Sequence, residues 1–225
     1  MPFTFGSYVV SEENARRAVL NFDEACLDIY DLGGTSAPNR VEPVDIGRLV
    51  ASQMVGIKQS AAAEMIRVSD SAPWSKVPVD GRLEDAAPGT PLYANACELL
   101  DYFRDIKDVG PAIATKMLAM KRPILFPVID SRIEKLYNLA SRQQLGASHP
   151  VLASLHDDTL RPDGIEALHS LRKRLVEIRE RKAQKLAQLP GIRLRDIIAW
   201  QRWTDLGIGH GKPPAPPEWP GTRAL

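Results

Sequence analysis

The stretch Asp105–Tyr137, DIKDVGPAIATKMLAMKRPILFPVIDSRIEKLY, carries the most distinctive pattern in the chain. Gly110 tolerates a positive φ and lets another backbone approach closely, while Pro111 suits the first position of a helix. Apolar residues then recur at helical spacing until Pro123 ends the helix. The pattern predicts two helices joined by a tight turn, and the unpaired amides at the start of the second helix can hold an anion.

An aspartate follows the second helix of this stretch. The segment PILFPVI is extended in character, and helical periodicity returns after Asp130, which lies twenty residues beyond Gly110. The structural interpretation of Asp130 is a place in a helix cap, since Ser131 and Glu134 fit a capping box. The functional interpretation is a carboxylate placed for a role in a site. The residues alone leave both interpretations open.

The composition is that of a soluble globular protein. Of 225 residues, 44% are hydrophobic and 25% are charged, and no apolar run approaches the ~18 residues of a membrane span. The N-terminus lacks the pattern of a secretory signal, so we expect a cytoplasmic protein with no membrane partner. Only Cys26 and Cys97 are present, which excludes a four-thiolate zinc or iron–sulfur site. We expect no cofactor and no metal, because His149, His156 and His169 show no metal-ligand spacing with acids.

Positive charge is concentrated in two segments, although the net charge is only +1. Asp101–Arg142 holds eight Lys or Arg against five acids, and Arg172–Lys185, RKRLVEIRERKAQK, holds seven against two. The second segment is interpreted first as a solvated helix face with ion pairs one turn apart. A stripe facing nucleic-acid phosphates is the alternative.

Helical periodicity recurs through most of the chain, and we predict an all-α fold. One helix is predicted for SEENARRAVLNFDEACLDIYDL, two more for PVDIGRLVASQMVG and SAAAEMIRVSD, and another for LYANACELLDYFRDI. Two late helices are predicted for GIEALHSLRKRLVEIRERKAQKLAQL and RLRDIIAWQRWTDL. The segment SAPWSKVPVDGRLEDAAPGTP should be largely irregular. Residues 1–205 are expected to form one helical unit, and the Pro/Gly-rich tail 206–225 to be extended or disordered.

The segments IKDVGPAIATKML and PVIDSRIEKL together resemble the helix-hairpin-helix signature of the base-excision DNA glycosylase superfamily. In that signature a Leu-Pro-Gly-Val-Gly turn precedes a helix, and an aspartate opens a later one. The residues that fall on matching positions are Ile106, Val109, Gly110, Ala114, Leu118 and Asp130. The resemblance implies a two-lobed helical fold, with the helix-hairpin-helix at about 99–122 and the active site between the lobes.

The resemblance also implies a partner and a role for individual residues. In the family the hairpin grips a DNA phosphate through backbone amides, which would here belong to Val109, Gly110 and Ala112. The aspartate, here Asp130, stabilises positive charge on the deoxyribose as an extruded base leaves, or it orients the attacking water. The expected partner is double-stranded DNA, bound without sequence specificity. The expected basic contacts are Lys107, Lys116, Lys121, Arg122 and Arg132.

Two aromatic residues flank the Pro-rich loop and are candidates to contact the base. Trp74 and Tyr93 offer rings on which an extruded base can stack. The structural alternative is that they anchor the loop to the core.

The chain departs from the family at two hairpin positions. Asp108 stands where the first hairpin glycine is usual and brings a negative charge to the phosphate site. Ala112 replaces the nucleophilic lysine of lyase-type members, and Lys116, one turn further on, is a poor substitute. The resemblance therefore implies a monofunctional glycosylase without lyase activity.

A second function class remains open at this point. The chain also suits a helix-hairpin-helix module that binds DNA or a protein and catalyses nothing. That alternative predicts a shallow or filled region between the lobes, whereas an enzyme needs a pocket that reaches Asp130. The chain as a whole, including APNRVEPVDIGRLVA and RLRDIIAWQRW, also resembles an uncharacterised, mainly actinobacterial family of unknown function.

Overall fold

A computed structural model describes residues 2–6, 8–34, 36–52, 54, 56–137 and 148–205 of the chain. The predicted tail 206–225 lies outside the described residues. The prediction of a helical fold is confirmed in its coarse form, since helices account for most of the structure. In the described part of the chain, no helix combines the length and apolar character that crossing a bilayer requires.

The elements begin with two strands and continue with helices. They are β1 (Phe3–Phe5), β2 (Tyr8–Val10), α1 (Glu12–Leu20), α2 (Glu24–Cys26), α3 (Pro43–Ala51), α4 (Gln59–Val68), α5 (Pro91–Arg104), α6 (Gly110–Lys121), α7 (Ser131–Leu136), α8 (Ser148–Leu160), α9 (Pro162–Glu177), α10 (Arg181–Ala187) and α11 (Gly191–Asp205). A π turn, Leu27–Asp31, continues α2. The segment predicted to be irregular, residues 71–91, contains short 3-10 turns at Trp74–Lys76 and Leu83–Asp85, and another such turn, Ser69–Ser71, leads into it.

The first correction to the all-α prediction is a small N-terminal hairpin. Strands β1 and β2 pair antiparallel, with Phe3 opposite Val10 and Phe5 opposite Tyr8. Gly6 makes the turn with a φ of +57°. The hairpin escaped prediction because three residues are too few to show alternation, and all three residues of β1 are buried.

The second correction concerns helix boundaries. The single helix predicted over SEENARRAVLNFDEACLDIYDL is divided at Asn21, which ends α1. Asp23 then caps α2 by accepting a hydrogen bond from the Cys26 amide at 2.7 Å. The long late helix is likewise divided into α9 and α10, because Ile178 turns extended. Helix α8 was not predicted.

The basic segment Arg172–Lys185 spans the end of α9 and most of α10. Arg172 donates to the Leu189 carbonyl at 2.7 Å, and Lys182 donates to the Leu20 carbonyl at 2.7 Å. Arg174 and Lys185 pair with Glu12 and Asp28 respectively. These four side chains bond to other elements and not to residues one turn away, so they fasten the segment to the fold in a way that the predicted solvated face did not anticipate.

The helices pack in two groups. The terminal group contains both strands, α1, α2 and α8–α11; within it α1 packs against α9, α10 and α11, and β1 packs against α8 and α9. The central group contains α3–α6, with α6 packed against α3 and α5. Helix α7 contacts α8 and α11. The N-terminal and C-terminal parts of the described chain therefore pack together, and α3 of the central group contacts the Leu27–Asp31 turn.

Candidate functional site

The predicted hairpin joins α5 to α6 through residues 105–109. Gly110 has a φ of +62°, and a Cβ at this position would meet no atom within 4 Å. Glycine is therefore favoured here by the positive φ, and not by the close approach of another part of the chain. Asp108 also lies in the left-handed region, with a φ of 67°. A positive φ is uncommon for residues other than glycine, although aspartate is among those that adopt it more often.

The charge of Asp108 is partly balanced. Its Oδ1 accepts a hydrogen bond from Lys58 Nζ at 2.8 Å, and this contact holds the pKa of Asp108 below its usual value. Lys107 is exposed beside it, while Val109 is buried and Ala112 is half-buried. Of the basic residues predicted to bind DNA, Lys107 is the one that lies in the hairpin turn itself.

Asp130 is held at the start of α7 by hydrogen bonds on both sides. Thr115 Oγ1 accepts from the Ile129 amide and donates to the Ile129 carbonyl, both at 3.0 Å. Asp130 Oδ1 accepts from the amides of Arg132 at 2.9 Å and Ile133 at 3.2 Å. Asp130 itself therefore caps α7, in place of Ser131. No hydrogen bond from the described residues reaches Asp130 Oδ2.

A cavity of about 310 Å³ lies between the two groups of helices, and Asp130 is on its wall. Residues 22–26, the end of α3, α6, the segment before α7 and one face of α11 surround it. Its charged side chains are Asp23, Lys116, Asp130, Arg193 and Asp196. Its larger apolar side chains are Phe22, Met54, Val128, Ile133, Ile197 and Trp200.

Lys116 is a buried amine in this cavity. Its Nζ donates to the Met54 carbonyl at 2.8 Å, and only 8% of the residue is exposed. Burial lowers the pKa of Lys116, while the nearby Asp130 carboxylate acts in the opposite direction. Lys116 was predicted to contact DNA, and the structure places it inside the cavity instead of on an open surface.

Arg193 forms the buried cationic side of the cavity. It pairs with Asp31 through two hydrogen bonds of 2.6 and 3.2 Å, and its guanidinium lies over the rings of Phe22 and Tyr30. The carboxylate of Asp31 raises the pKa of Arg193 against the effect of burial. Arg193 therefore stays charged and places a positive charge beside the cavity.

Asp196 lies one turn further along α11. Its Oδ2 accepts from the Val128 amide at 2.8 Å, whereas its buried Oδ1 has no hydrogen-bond partner among the described residues. Burial raises the pKa of Asp196 to about 7. The side chain therefore changes charge near neutral pH.

Sequence reasoning missed the contribution of α11. Arg193, Asp196, Ile197 and Trp200 follow the spacing i, i+3, i+4 and i+7 and therefore share one helix face. The available signal was two ionisable residues on the same helix face as Ile197 and Trp200. The missing information was which face packs inward, since that depends on helices distant in sequence.

Two predicted DNA contacts are parts of the core. Lys121 is 4% exposed and pairs with Asp45 at 2.6 Å. Arg122 is fully buried and donates to three backbone carbonyls and to Asn39 Oδ1. Both side chains bind the loop that precedes α3 and leave no face toward solvent. The prediction that they contact DNA needs correction for this reason.

The two predicted stacking residues do not line the cavity. Trp74 is 4% exposed and donates from Nε1 to the Ser69 carbonyl at 2.8 Å, which fits its structural interpretation. Tyr93 donates to the His149 carbonyl at 2.9 Å and so joins α5 to α8. The aromatic residues at the cavity are Phe22 and Trp200, and the guanidinium of the predicted DNA contact Arg132 lies 4.8 Å from the centroid of the Trp200 ring.

The side chains of the described residues offer no cluster of three or more His, Cys, Asp or Glu that suits a metal ion.

The chain belongs to the DUF6308 family, a family of unknown function whose model matches residues 8–203. This match confirms the predicted resemblance of the whole chain to an uncharacterised family. No curated protein and no solved structure matches the chain.

Proposed function

We propose that this member of the DUF6308 family binds double-stranded DNA through its helix-hairpin-helix and hydrolyses the N-glycosidic bond of a damaged or modified base. Asp130 is the catalytic carboxylate. The observation that carries the proposal is that Asp130, which directly precedes α7, lies on the wall of an open cavity. A non-catalytic module is expected to have this region shallow or filled.

The chemistry follows from how Asp130 is held. Its Oδ1 is fixed by two backbone amides, so the carboxylate is oriented before any ligand arrives. Cleavage of an N-glycosidic bond develops positive charge on the sugar, and an oriented carboxylate in a partly desolvated site stabilises that charge. The same carboxylate can instead orient the water that attacks the sugar. Either route needs only one acidic residue.

The hairpin supplies the DNA contact in this proposal. The amides of Gly110 and Ala112 lie at the start of α6, where unpaired N–H groups favour a phosphate. Lys107 adds a positive charge that is exposed in the same turn. Backbone contacts of this kind fix position without reading sequence, so the binding is non-sequence-specific. Ala112 carries no amine, and the reaction therefore ends at an abasic site without strand cleavage.

The decisive experiment measures base excision by the wild type and by Asp130→Asn. Duplexes carrying uracil, hypoxanthine, alkylated purines, 8-oxoguanine or a mismatch are incubated with protein and then treated with alkali to cut abasic sites. We expect alkali-dependent cleavage of at least one duplex by the wild type, and a loss of at least about a hundredfold in Asp130→Asn with DNA binding retained.

The matched control is Asp105→Asn. Asp105 is exposed at the hairpin, so this variant removes the same negative charge near bound DNA without altering the cavity. It should excise at the wild-type rate. Equal excision by Asp130→Asn and the wild type refutes the mechanism. Salt-sensitive DNA binding without any product supports the non-catalytic module instead.

A further inference from the structure

A short extended segment, which belongs to no helix or strand, leads to Asp130. Buried backbone groups outside regular structure need other hydrogen-bond partners, and Val128 and Ile129 are both buried. The Val128 amide donates to Asp196 Oδ2 at 2.8 Å. The Ile129 amide and carbonyl both bond to Thr115 Oγ1 at 3.0 Å. Two side chains, one from α11 and one from α6, therefore take the place of secondary structure in this segment.

The hydroxyl of Thr115 is buried and fully used. Thr115 is 0% exposed, and a hydroxyl that leaves water costs free energy unless it is hydrogen-bonded. Valine has nearly the same shape and avoids this cost, so packing alone does not require threonine here. The hydroxyl also lies 3.0 Å from the Pro111 carbonyl in the first turn of α6. One oxygen thus joins the hairpin end of α6 to the residue that precedes Asp130.

We infer that Thr115 is a positioning residue, which through Ile129 fixes the Asp130 carboxylate relative to the start of α6. The inference rests on the proposed function, which places a DNA phosphate at the start of α6 and the catalytic carboxylate on Asp130. The two sites must keep a fixed separation, since a displacement of about 1 Å can reduce a reaction rate about a hundredfold. Because Thr115 is fully buried, it touches no substrate and acts only through Asp130.

The path from Thr115 to the carboxylate is short. Asp130 Oδ1 accepts from the amides of Arg132 and Ile133, so the side chain caps α7 only while its own backbone keeps its place before the helix. Loss of the Thr115 hydroxyl removes the partner that the described residues give to the Ile129 amide and carbonyl. The backbone of Asp130, which comes next, can then shift, and the cap loosens.

Amide hydrogen exchange, followed by proton–nitrogen NMR on the full chain without DNA, tests the inference. Thr115→Val removes the hydroxyl and keeps the shape of the side chain. The amides of Ile129, Arg132 and Ile133 should then exchange at least about tenfold faster than in the wild type. Thr115→Ser keeps the hydroxyl, so the same amides should stay within about threefold of their wild-type rates.

The matched control is the amide of Cys26, which donates to Asp23 Oδ1 at 2.7 Å in another carboxylate cap on the cavity wall. Within the described chain, no hydrogen bond joins this cap to Thr115, so its exchange should not change in either variant. Equal acceleration at Cys26 and at the start of α7 would mean a general loss of stability and overturns the inference. Acceleration at Ile129 alone overturns it too, as does a Thr115→Ser variant that behaves like Thr115→Val.

Should Thr115→Val fail to fold, the wild type decides. The inference makes the cap of α7 depend on the bonds of Ile129. The amides of Arg132 and Ile133 therefore cannot stay protected when those bonds open. Protection of these two amides more than about tenfold above that of the Ile129 amide overturns the inference, whereas protection equal to it or lower supports the inference.

Excision kinetics separate this inference from the proposed function. On a duplex that the wild type excises, Thr115→Val should lower kcat about tenfold to a hundredfold and leave KM within about twofold, because DNA binding stays intact. Thr115→Ser should restore kcat to within about threefold of the wild type. An undiminished kcat in Thr115→Val, with or without a raised KM, overturns the inference. If the wild type excises no duplex, the glycosylase is removed, and the exchange rates alone decide whether Thr115 positions Asp130.

Discussion

At the scale of single residues, the ionisation of Asp196 should govern how stability depends on pH. Its pKa in the folded protein is about 7, whereas an exposed aspartate titrates near ~3.9. The folded state therefore holds a proton that the unfolded chain releases between these values. Because the folded state binds more protons than the unfolded chain, the free energy of unfolding falls as pH rises through this range. The loss of stability is complete above pH ~7.

The corresponding variant is Asp196→Asn, which cannot ionise. Its free energy of unfolding relative to the wild type should increase between pH 4 and pH 8 by up to about 4 kcal/mol, at 1.36 kcal/mol per pKa unit. Urea denaturation followed by circular dichroism at several pH values measures this difference. Asp80→Asn, at an exposed position, is the control and should show no comparable trend. A constant difference for Asp196→Asn would show that Asp196 titrates alike in both states.

Lys116 is the second residue whose charge reports on the cavity. Burial lowers its pKa, and Asp130 opposes that effect. Replacing Asp130 with Asn removes the opposing charge, so the pKa of Lys116 should fall further. Carbon-13 NMR of isotope-labelled lysine side chains follows the titration, with the exposed Lys107 as internal control. An unchanged Lys116 titration in Asp130→Asn would mean that the two groups do not interact.

At the scale of elements, Lys107 in the hairpin turn and Lys121 at the end of α6 should have different roles. Lys121 pairs with Asp45 where both side chains are buried, and removing one partner of a buried pair costs about 3–5 kcal/mol. Lys121→Met should lose about that much stability with little change in DNA affinity per folded molecule. Lys107→Met, at an exposed position, should change stability by at most about 0.5 kcal/mol.

The effects of these two variants on DNA affinity should be in the opposite order to their effects on stability. Lys107→Met should weaken binding and reduce the slope of log affinity against log salt by about one. Fluorescence anisotropy of a labelled duplex over a salt series measures both quantities. A fall in affinity for folded Lys121→Met that matches the fall for Lys107→Met would place both lysines at the DNA and contradict the buried arrangement.

The backbone of the hairpin makes a prediction about Asp108. This residue adopts a positive φ of 67°, which glycine tolerates and which costs most L-residues roughly 1–2 kcal/mol. Asp108→Gly relieves this strain and removes a negative charge beside the proposed phosphate site. The variant should be at least as stable as the wild type and should bind duplex DNA more tightly. Asp105→Gly is the control, and an equal gain in affinity for both variants would assign the effect to net charge alone.

At the scale of the whole molecule, local chemistry was readable from the sequence and long-range packing was not. The turn at Gly110, the helix that follows it and the helix that begins after Asp130 were predicted, because glycine, proline and periodicity act over a few residues. The burial of Arg122 was not, since its partners Val77 and Asn39 come from distant loops. Asp196 was not predicted as a site residue for the same reason, because its place in the site depends on the Val128 amide and on the cavity beside it.

Contacts between the two groups of helices predict that they unfold together. Tyr30 of the terminal group donates to the Lys116 carbonyl at 2.6 Å, Asp196 accepts from Val128, and Tyr93 of α5 donates to His149 of α8. A variant in which Trp200, Trp203 and Trp219 are replaced by Phe retains only Trp74, whose fluorescence reports the central group. Far-UV circular dichroism reports the helices of both groups, so the two urea transitions should coincide.

Tyr30→Phe in the same background removes a hydrogen bond that joins the groups. It should lower the free energy of unfolding by about 1 kcal/mol and shift the fluorescence and dichroism transitions by the same amount. Because Trp74 lies far along the chain from Tyr30, an equal shift means that stability lost at the interface is felt throughout the central group. A dichroism transition that splits, with fluorescence following only its later part, would instead show that the terminal helices unfold first and that the cavity opens before the central group does.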